Sequence, residues 1–181
     1  MAKETHTKYA ILGLLTTGCH TGYSIKQMID GSLNHFWKIS YGQIYPTLKN
    51  LVDEGLATVK DTTQDGKPDK KEYHLTQDGH RALQSWLQLP INGIPTEKNE
   101  LLLKLFFSRH QNKDITINHI DQYLEKLQER YNTYDSIEQM IIENLLDKAD
   151  AQFWLMTLDY GKRTTQAAIE WCKDTTKKLS E

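Results

Sequence analysis

The stretch from Ser40 to Lys60 constrains the fold more than any other. Ser40-Tyr-Gly-Gln43 has the Ser-x-x-Gln form of a capping box, whose side chains satisfy backbone N–H groups that the first helical turn leaves without partners. Ile44, Leu48, Leu51 and Val52 follow at i, i+4, i+7 and i+8, which gives the helix one apolar face, and Gly55 marks its end. Leu56-Ala-Thr-Val-Lys60 then alternates as a strand, and Glu72-Tyr-His-Leu75 alternates as its partner. Between them, Asp65-Gly-Lys-Pro68 carries turn chemistry. Pro46 falls in the second turn of the helix, where it removes one backbone hydrogen bond and predicts a kink or a loosened first turn.

Helices are expected on both sides of this segment. Tyr9 to Leu15 reads as a short apolar helix capped near Thr5 or Thr7 and stopped at Gly18. Thr21-Gly-Tyr-Ser-Ile25 opens a second, with Ile25, Met28, Ile29 and Leu33 on one stripe, and Phe36 and Trp37 close it as bulky core residues. Thr76-Gln-Asp-Gly79 caps a fourth that carries Ala82, Leu83, Trp86 and Leu87, after which Pro90, Gly93 and Pro95 break the chain. Helix, helix, capped helix, hairpin, helix is the order of a winged helix-turn-helix, in which the third helix enters the major groove of DNA and the hairpin follows the backbone.

No strand pattern appears beyond Pro95. Leu101 to Phe107 forms an apolar helix, and Ile120, Leu124, Leu127, Tyr131, Tyr134, Ile141 and Leu145 follow a 4-3-4-3 seam interrupted at Glu138. A second seam runs through Trp154, Leu158, Gly161, Thr165, Ala168, Cys172, Thr175 and Leu179, with a small-residue middle that admits another helix closely. That helix is either the chain's own long helix or one from a partner subunit, and the second reading makes Trp154, Leu158, Gly161, Thr165, Ala168, Cys172 and Leu179 a dimerisation surface. The expected fold is mainly α with a small two-stranded β wing: a winged helix-turn-helix DNA-binding domain over 1–90 and a C-terminal antiparallel helical dimerisation and effector domain over 96–181.

Net charge sets the burden of proof for nucleic-acid binding. The 181 residues carry 22 Lys+Arg against 24 Asp+Glu, for −2 overall. Residues 1–90 hold ten cations and nine anions, and 91–181 hold twelve and fifteen. The case therefore rests on where individual cations sit. With Ile44, Leu48 and Leu51 turned inward, Ser40, Tyr41, Gln43, Thr47 and Lys49 are left outside, and no acid occurs from Asn34 through Leu51. Gln pairs with adenine, while hydroxyls and Lys bind phosphates or base edges. Lys67, Lys70 and Lys71 flank the hairpin turn, and Tyr23, Lys26 and Lys38 are placed to clamp flanking phosphates.

Other classes find little support. No Gly-x-Ser-x-Gly, phosphate-cradling glycine loop or His-Glu-x-x-His is present, which argues against an enzyme. The seven histidines never take a His-x3-His spacing and the two cysteines lie far apart, so no metal site, cofactor or disulfide framework is expected. The apolar runs are far shorter than the roughly 20 residues of a membrane span, and the chain reads as soluble and cytoplasmic. A helical protein-interaction adaptor remains as the alternative, and acids on the outside of the third helix would have favoured it.

Several segments together resemble the PadR family of transcriptional regulators, in its longer branch that includes phenolic-acid-responsive repressors and a virulence activator. They are Tyr9 to Leu15, Thr21 to Ile25, Phe36-Trp37-Lys38, Gln43-Ile-Tyr-Pro-Thr-Leu-Lys49 with Glu54-Gly-Leu56, and Lys70 to Tyr73 with Leu75-Thr76. In the second half, Glu100 to Phe107 and the run from Trp154 through Gly161 to Cys172 look like that branch's helical domain. The resemblance implies a homodimer that binds a palindromic operator and commonly represses a neighbouring gene, with an activator of the same fold as the alternative. It adds Tyr45 to a DNA-facing set of Tyr23, Ser40, Gln43 and the wing lysines. Tyr41-Gly42 departs from the family, where His and Ser or Gln often precede the shared Gln. Family members are released from DNA by small aromatic molecules, which makes Phe106, Phe107, His119, Phe153, Trp154, Tyr160 and Arg163 candidates for an effector pocket between arm and reading head, with Trp171 beside them and Arg163 or His119 meeting a carboxylate. Core packing accounts for the same aromatics.

Overall fold

The computed structural model describes residues 2–64, 67–94 and 97–181, with the side chains of 2–5, 35, 62–64 and 67–70 left aside. The chain divides into two compact units, Met1–Gly93 and Ile94–Glu181. The first contains α1 (Ala2–Thr16), α2 (Gly22–Gly31), a 3-10 turn (Leu33–His35), α3 (Tyr41–Asp53), β1 (Ala57–Gln64), β2 (Lys67–Leu75) and α4 (Gln77–Leu87). The second contains α5 (Glu100–Phe106), a 3-10 turn (Ser108–His110), α6 (Lys113–Asn144) and α7 (Ala151–Ser180). The expected class holds: a mainly helical chain with one two-stranded antiparallel sheet.

The first unit is built around aliphatic stripes. Ile11, Leu12 and Leu15 of α1, Ile25 and Ile29 of α2, and Ile44, Leu48 and Leu51 of α3 converge in one core, joined by Ala57 and Tyr73 of the sheet. Each fully buried Ile or Leu stabilises this arrangement by about 1.5–3 kcal/mol relative to exposure. Trp86 of α4 stacks on Tyr9 of α1 at 4.8 Å and 7°, which fixes the last helix against the first. α1 starts at Ala2 rather than at a Thr5 or Thr7 cap, and Thr7 is buried within it. Phe36 and Leu87 are exposed rather than core, whereas Trp37 packs partly against the cluster.

The hairpin is longer than the alternation suggested. Its register pairs Ala57 with Leu75, Val59 with Tyr73 and Asp61 with Lys71, then shifts between Thr62 and Gln64. Lys67 and Pro68 accordingly belong to β2 and not to the turn, and Asp65 and Gly66 lie outside the described residues. Proline is tolerated there because each strand of a two-stranded sheet has an open edge. The Tyr73 N–H donates to the His20 carbonyl at 2.7 Å, so β2 is also tied to the loop before α2. The His20 and His74 rings face each other at 4.5 Å beside that link.

In the second unit the two predicted seams meet each other. Tyr134 lies opposite Gly161, where a Cβ would come within 3.1 Å of its ring, and Thr176 donates to Asp121 at 3.3 Å. The pairing of early α6 with late α7 makes an antiparallel hairpin. Trp154, Leu158, Ala168, Cys172 and Leu179 pack in clusters with Ile120, Leu127, Tyr134 and Ile141 of the same chain and Thr165 is buried, which favours the intramolecular reading of this seam. Heptad spacing identifies an apolar face but not the chain that covers it.

The interruption at Glu138 is a paired one. Lys162 donates to Asp135 at 2.7 Å and to Glu138 at 2.6 Å, and it lies 5.5 Å from the Tyr131 ring. The two carboxylates hold its ammonium well above the ordinary lysine pKa, through their hydrogen bonds first, against an opposing effect of burial, with their charge adding less. An ion triad at this height favours one longitudinal register of the two helices, because sliding either by one turn separates the charges.

Candidate nucleic-acid interface

The helix that carries the site starts with the predicted cap. Gln43 Oε1 accepts from the Ser40 N–H at 3.1 Å and from its hydroxyl at 2.9 Å. Only the carbonyl end of the amide can accept from an N–H, so the Gln43 amide nitrogen is what remains for a base. This differs from a free Gln, which offers adenine an acceptor and a donor together. Pro46 leaves the Gly42 carbonyl without its usual helical donor, yet α3 runs through it as one helix to Asp53.

Burying Ile44, Leu48 and Leu51 turns the opposite face outward. Ser40, Tyr41, Tyr45 and Lys49 are exposed, and Gln43 and Thr47 are half-buried. Tyr45 is held from beneath: a Cβ on Gly22 would stand 2.6 Å from its ring, so only glycine at the start of α2 admits this close crossing of α2 and α3. Gln43, Thr47 and Asn50 border an open groove of about 530 Å³ between α3 and α1, which the ion-paired Lys8 and Glu54 also line. Asn50 is a polar neighbour that inner-face periodicity does not single out.

α2 lines the other flank. Thr21 caps it through a reciprocal box with Ser24, at 3.0 Å each way. Exposed Tyr23 accepts from Gln27 at 3.0 Å, and Lys26 sits 4.3 Å from the Tyr41 ring centre in a cation–π contact. Tyr41 donates its hydroxyl to Asp30 at 2.5 Å, and this bond, ahead of burial and the carboxylate charge, raises the phenol above its usual pKa. Asp30 is thus an acid beside the outward face that the acid-free run from Asn34 to Leu51 did not disclose. It lies eleven residues from Tyr41 on another helix, and only the α2–α3 crossing brings them together.

Among the remaining candidates, Lys38 and Lys71 are exposed. The side chains of Lys67 and Lys70 lie outside the described residues. Burial raises the Tyr73 phenol at the wing root, with the neighbouring Tyr45 and Asp61 as lesser causes.

The aromatic candidates of the second unit do not gather in a single pocket there. Phe107 and His119 line a shallow one of about 330 Å³ with Leu103, Lys104, His110 and Gln111. Phe106 is 83% exposed and meets Phe107 edge-on at 5.1 Å. Phe153 and Tyr160 are exposed on α7, Trp154 belongs to the α6–α7 cluster, half-buried Trp171 packs likewise, and Arg163 is paired with Asp159 at 2.8 Å. No group of three or more potential ligands for a metal occurs among the described residues, and no helix among them is long and apolar enough to cross a membrane.

A capped third helix with a polar outer face, steadied by a crossing helix and followed by a two-stranded wing, defines a winged helix-turn-helix protein. Residues 11–85 match the family model described as "Transcriptional regulator PadR-like family", and residues 97–180 match "Virulence activator alpha C-term". The "Negative transcriptional regulator PadR" of Bacillus subtilis (strain 168) is 38% identical over 135 residues, which cover 72% of this chain and 74% of that one. The crystal structure of Bacillus subtilis PadR in complex with operator DNA aligns over 96% of this chain and 98% of that chain, with 30% identity and a TM-score of 0.84. The crystal structure of the same regulator in complex with p-coumaric acid aligns over 96% and 95%, with 26% identity and a TM-score of 0.78. The chain belongs to the PadR-like family of transcriptional regulators, which is not a family of enzymes.

Proposed function

We propose that this chain is a cytoplasmic, sequence-specific repressor that binds a palindromic operator as a homodimer and is released by a small aromatic acid. The observation that carries the reading is the outward face of α3, where Ser40, Tyr41, Tyr45 and Lys49 stand exposed on a capped helix whose inner residues are fully committed to the core. Two such helices read half-sites about one helical turn apart, roughly 34 Å, while Lys71 and the other wing lysines neutralise flanking phosphates. The Bacillus subtilis relative supports both binding partners, having been crystallised with operator DNA and with p-coumaric acid.

Because the α7 seam is occupied by α6, the dimer surface falls to the outward stripe of α7, where Phe153, Met156 and Tyr160 are exposed at i, i+3 and i+7. An aromatic acid suits the pocket of Phe107 and Leu103, with Lys104, His110 and His119 available to its carboxylate. Such a ligand acts only through its differential affinity for the DNA-competent and incompetent dimers. Activation is the second reading, favoured by the match of residues 97–180 to a virulence-activator domain.

The test is titration of the dimer onto its own upstream region and onto scrambled duplex, with and without p-coumaric acid. Gln43→Ala is expected to weaken the specific complex roughly tenfold and leave the scrambled one unchanged. Equal binding of both duplexes by the wild type contradicts the reading. A reporter driven by that upstream region separates repression from activation.

A further inference from the structure

The Asp30–Tyr41 contact is more than a surface tether in its hydrogen-bond chemistry. A phenol has one proton, and Tyr41 gives it to Asp30 at 2.5 Å. The same Asp30 oxygen accepts from the Asn34 side-chain amide at 3.0 Å, so the carboxylate is held from two sides. What the pair shows to an incoming duplex is therefore lone pairs alone: the Tyr41 oxygen and the second carboxylate oxygen. A phosphate has nothing to donate to such a surface and is repelled by its charge. Guanine O6 and thymine O4 are acceptors too, and only the exocyclic amines of cytosine and adenine donate in the major groove.

Position favours a base over the backbone. Tyr41 is the first residue of α3, and recognition helices of this class present their N-terminal residues to base edges. Its ring is 49% exposed and is steadied by Lys26 at 4.3 Å, whose cation offsets the carboxylate and can meet a flanking phosphate. We propose that Asp30 and Tyr41 form an acceptor-only pair that selects an exocyclic amine, cytosine N4 or adenine N6, at one position of each operator half-site. Tyr41 makes the contact and Asp30 is a positioning residue that fixes its proton. The inference rests on the DNA-binding reading above and adds a base preference to it.

The experiment is selection from randomised-core duplexes by the full-length wild type, Asp30→Asn and Tyr41→Phe, with sequencing of the bound pools and thermal unfolding of each protein as a folding control. The wild type is expected to enrich cytosine or adenine at one position per half-site, and the enriched base identifies which amine is read. Both variants should lose that preference by roughly tenfold while enrichment elsewhere is kept. Asp30→Asn keeps an acceptor for the Tyr41 proton but turns the second carboxylate oxygen into an N–H donor, so guanine or thymine should become tolerated there, a change that loss of a mere strut would not produce. Unchanged base profiles in both variants, or an equal loss of affinity on every sequence, overturn the proposal and leave the regulator reading standing. A wild type that enriches no sequence removes both together.

Discussion

The two units use apolar surface in opposite ways. In the first, the aliphatic stripes of α1, α2 and α3 meet in one cluster, and the outer face of α3 is polar. In the second, α6 and α7 cover one seam between them and leave Phe153, Met156 and Tyr160 of α7, Met140 and Ile142 of α6 and Leu146 just beyond it exposed. A helix pair has only one mutual face, whereas three crossing helices and a sheet enclose a core on several sides. The second unit therefore carries apolar surface outside the face its long helices share, where the proposed dimer would form.

The sharpest break of this contrast is Leu48→Ala. Its side chain is wholly buried at the centre of the first cluster, and truncation should destabilise that unit by about 2–5 kcal/mol, read as a lower first transition in thermal unfolding. Next comes the double change Phe153→Glu with Met156→Glu. It should leave helical content intact yet weaken self-association by roughly thirtyfold or more, as measured by sedimentation equilibrium. A variant that remains a dimer at the wild-type concentration would place the interface elsewhere. Deleting α7 is the poorer probe, because it also strips α6 of its cover.

The smallest effect is expected at Lys162→Met. The Lys162 side chain is 18% exposed but its partners are more open, so solvent screening limits the loss to on the order of 1 kcal/mol. Its folded pKa is raised above the unfolded value, so the stabilisation is whole below the ordinary lysine range and fades as the pH climbs through the folded pKa. Unfolding curves of wild type and variant should accordingly stay separated by a constant gap through neutral pH and draw together only in alkali.

Local chemistry was the legible part of this fold. Thr21, Ser40 and Thr76 cap their helices as the residue types predict, and the buried stripe of α3 is the one its spacing marks. Elements settled by tertiary packing were less readable. α1 runs back past Thr7, because that threonine is buried in the fold and no longer serves as a terminus. β1 and β2 extend to Gln64 and Lys67, because cross-strand pairing continues beyond the alternating core positions. The second seam was visible as a pattern, but its occupant was not, since α6 and any partner helix satisfy the same spacing. Asp30 was hidden for a related reason: its meaning comes from a helix crossing, which leaves no periodic trace.

The bond from Tyr73 to His20 gives the wing its footing on the loop that leads into α2. The base of the hairpin and the helix bearing Tyr23 and Lys26 are thereby one frame, so a shorter or longer tip would change how far the protein stretches along the duplex without shifting the residues proposed to face the bases. Reach and spelling can then evolve separately in this chain.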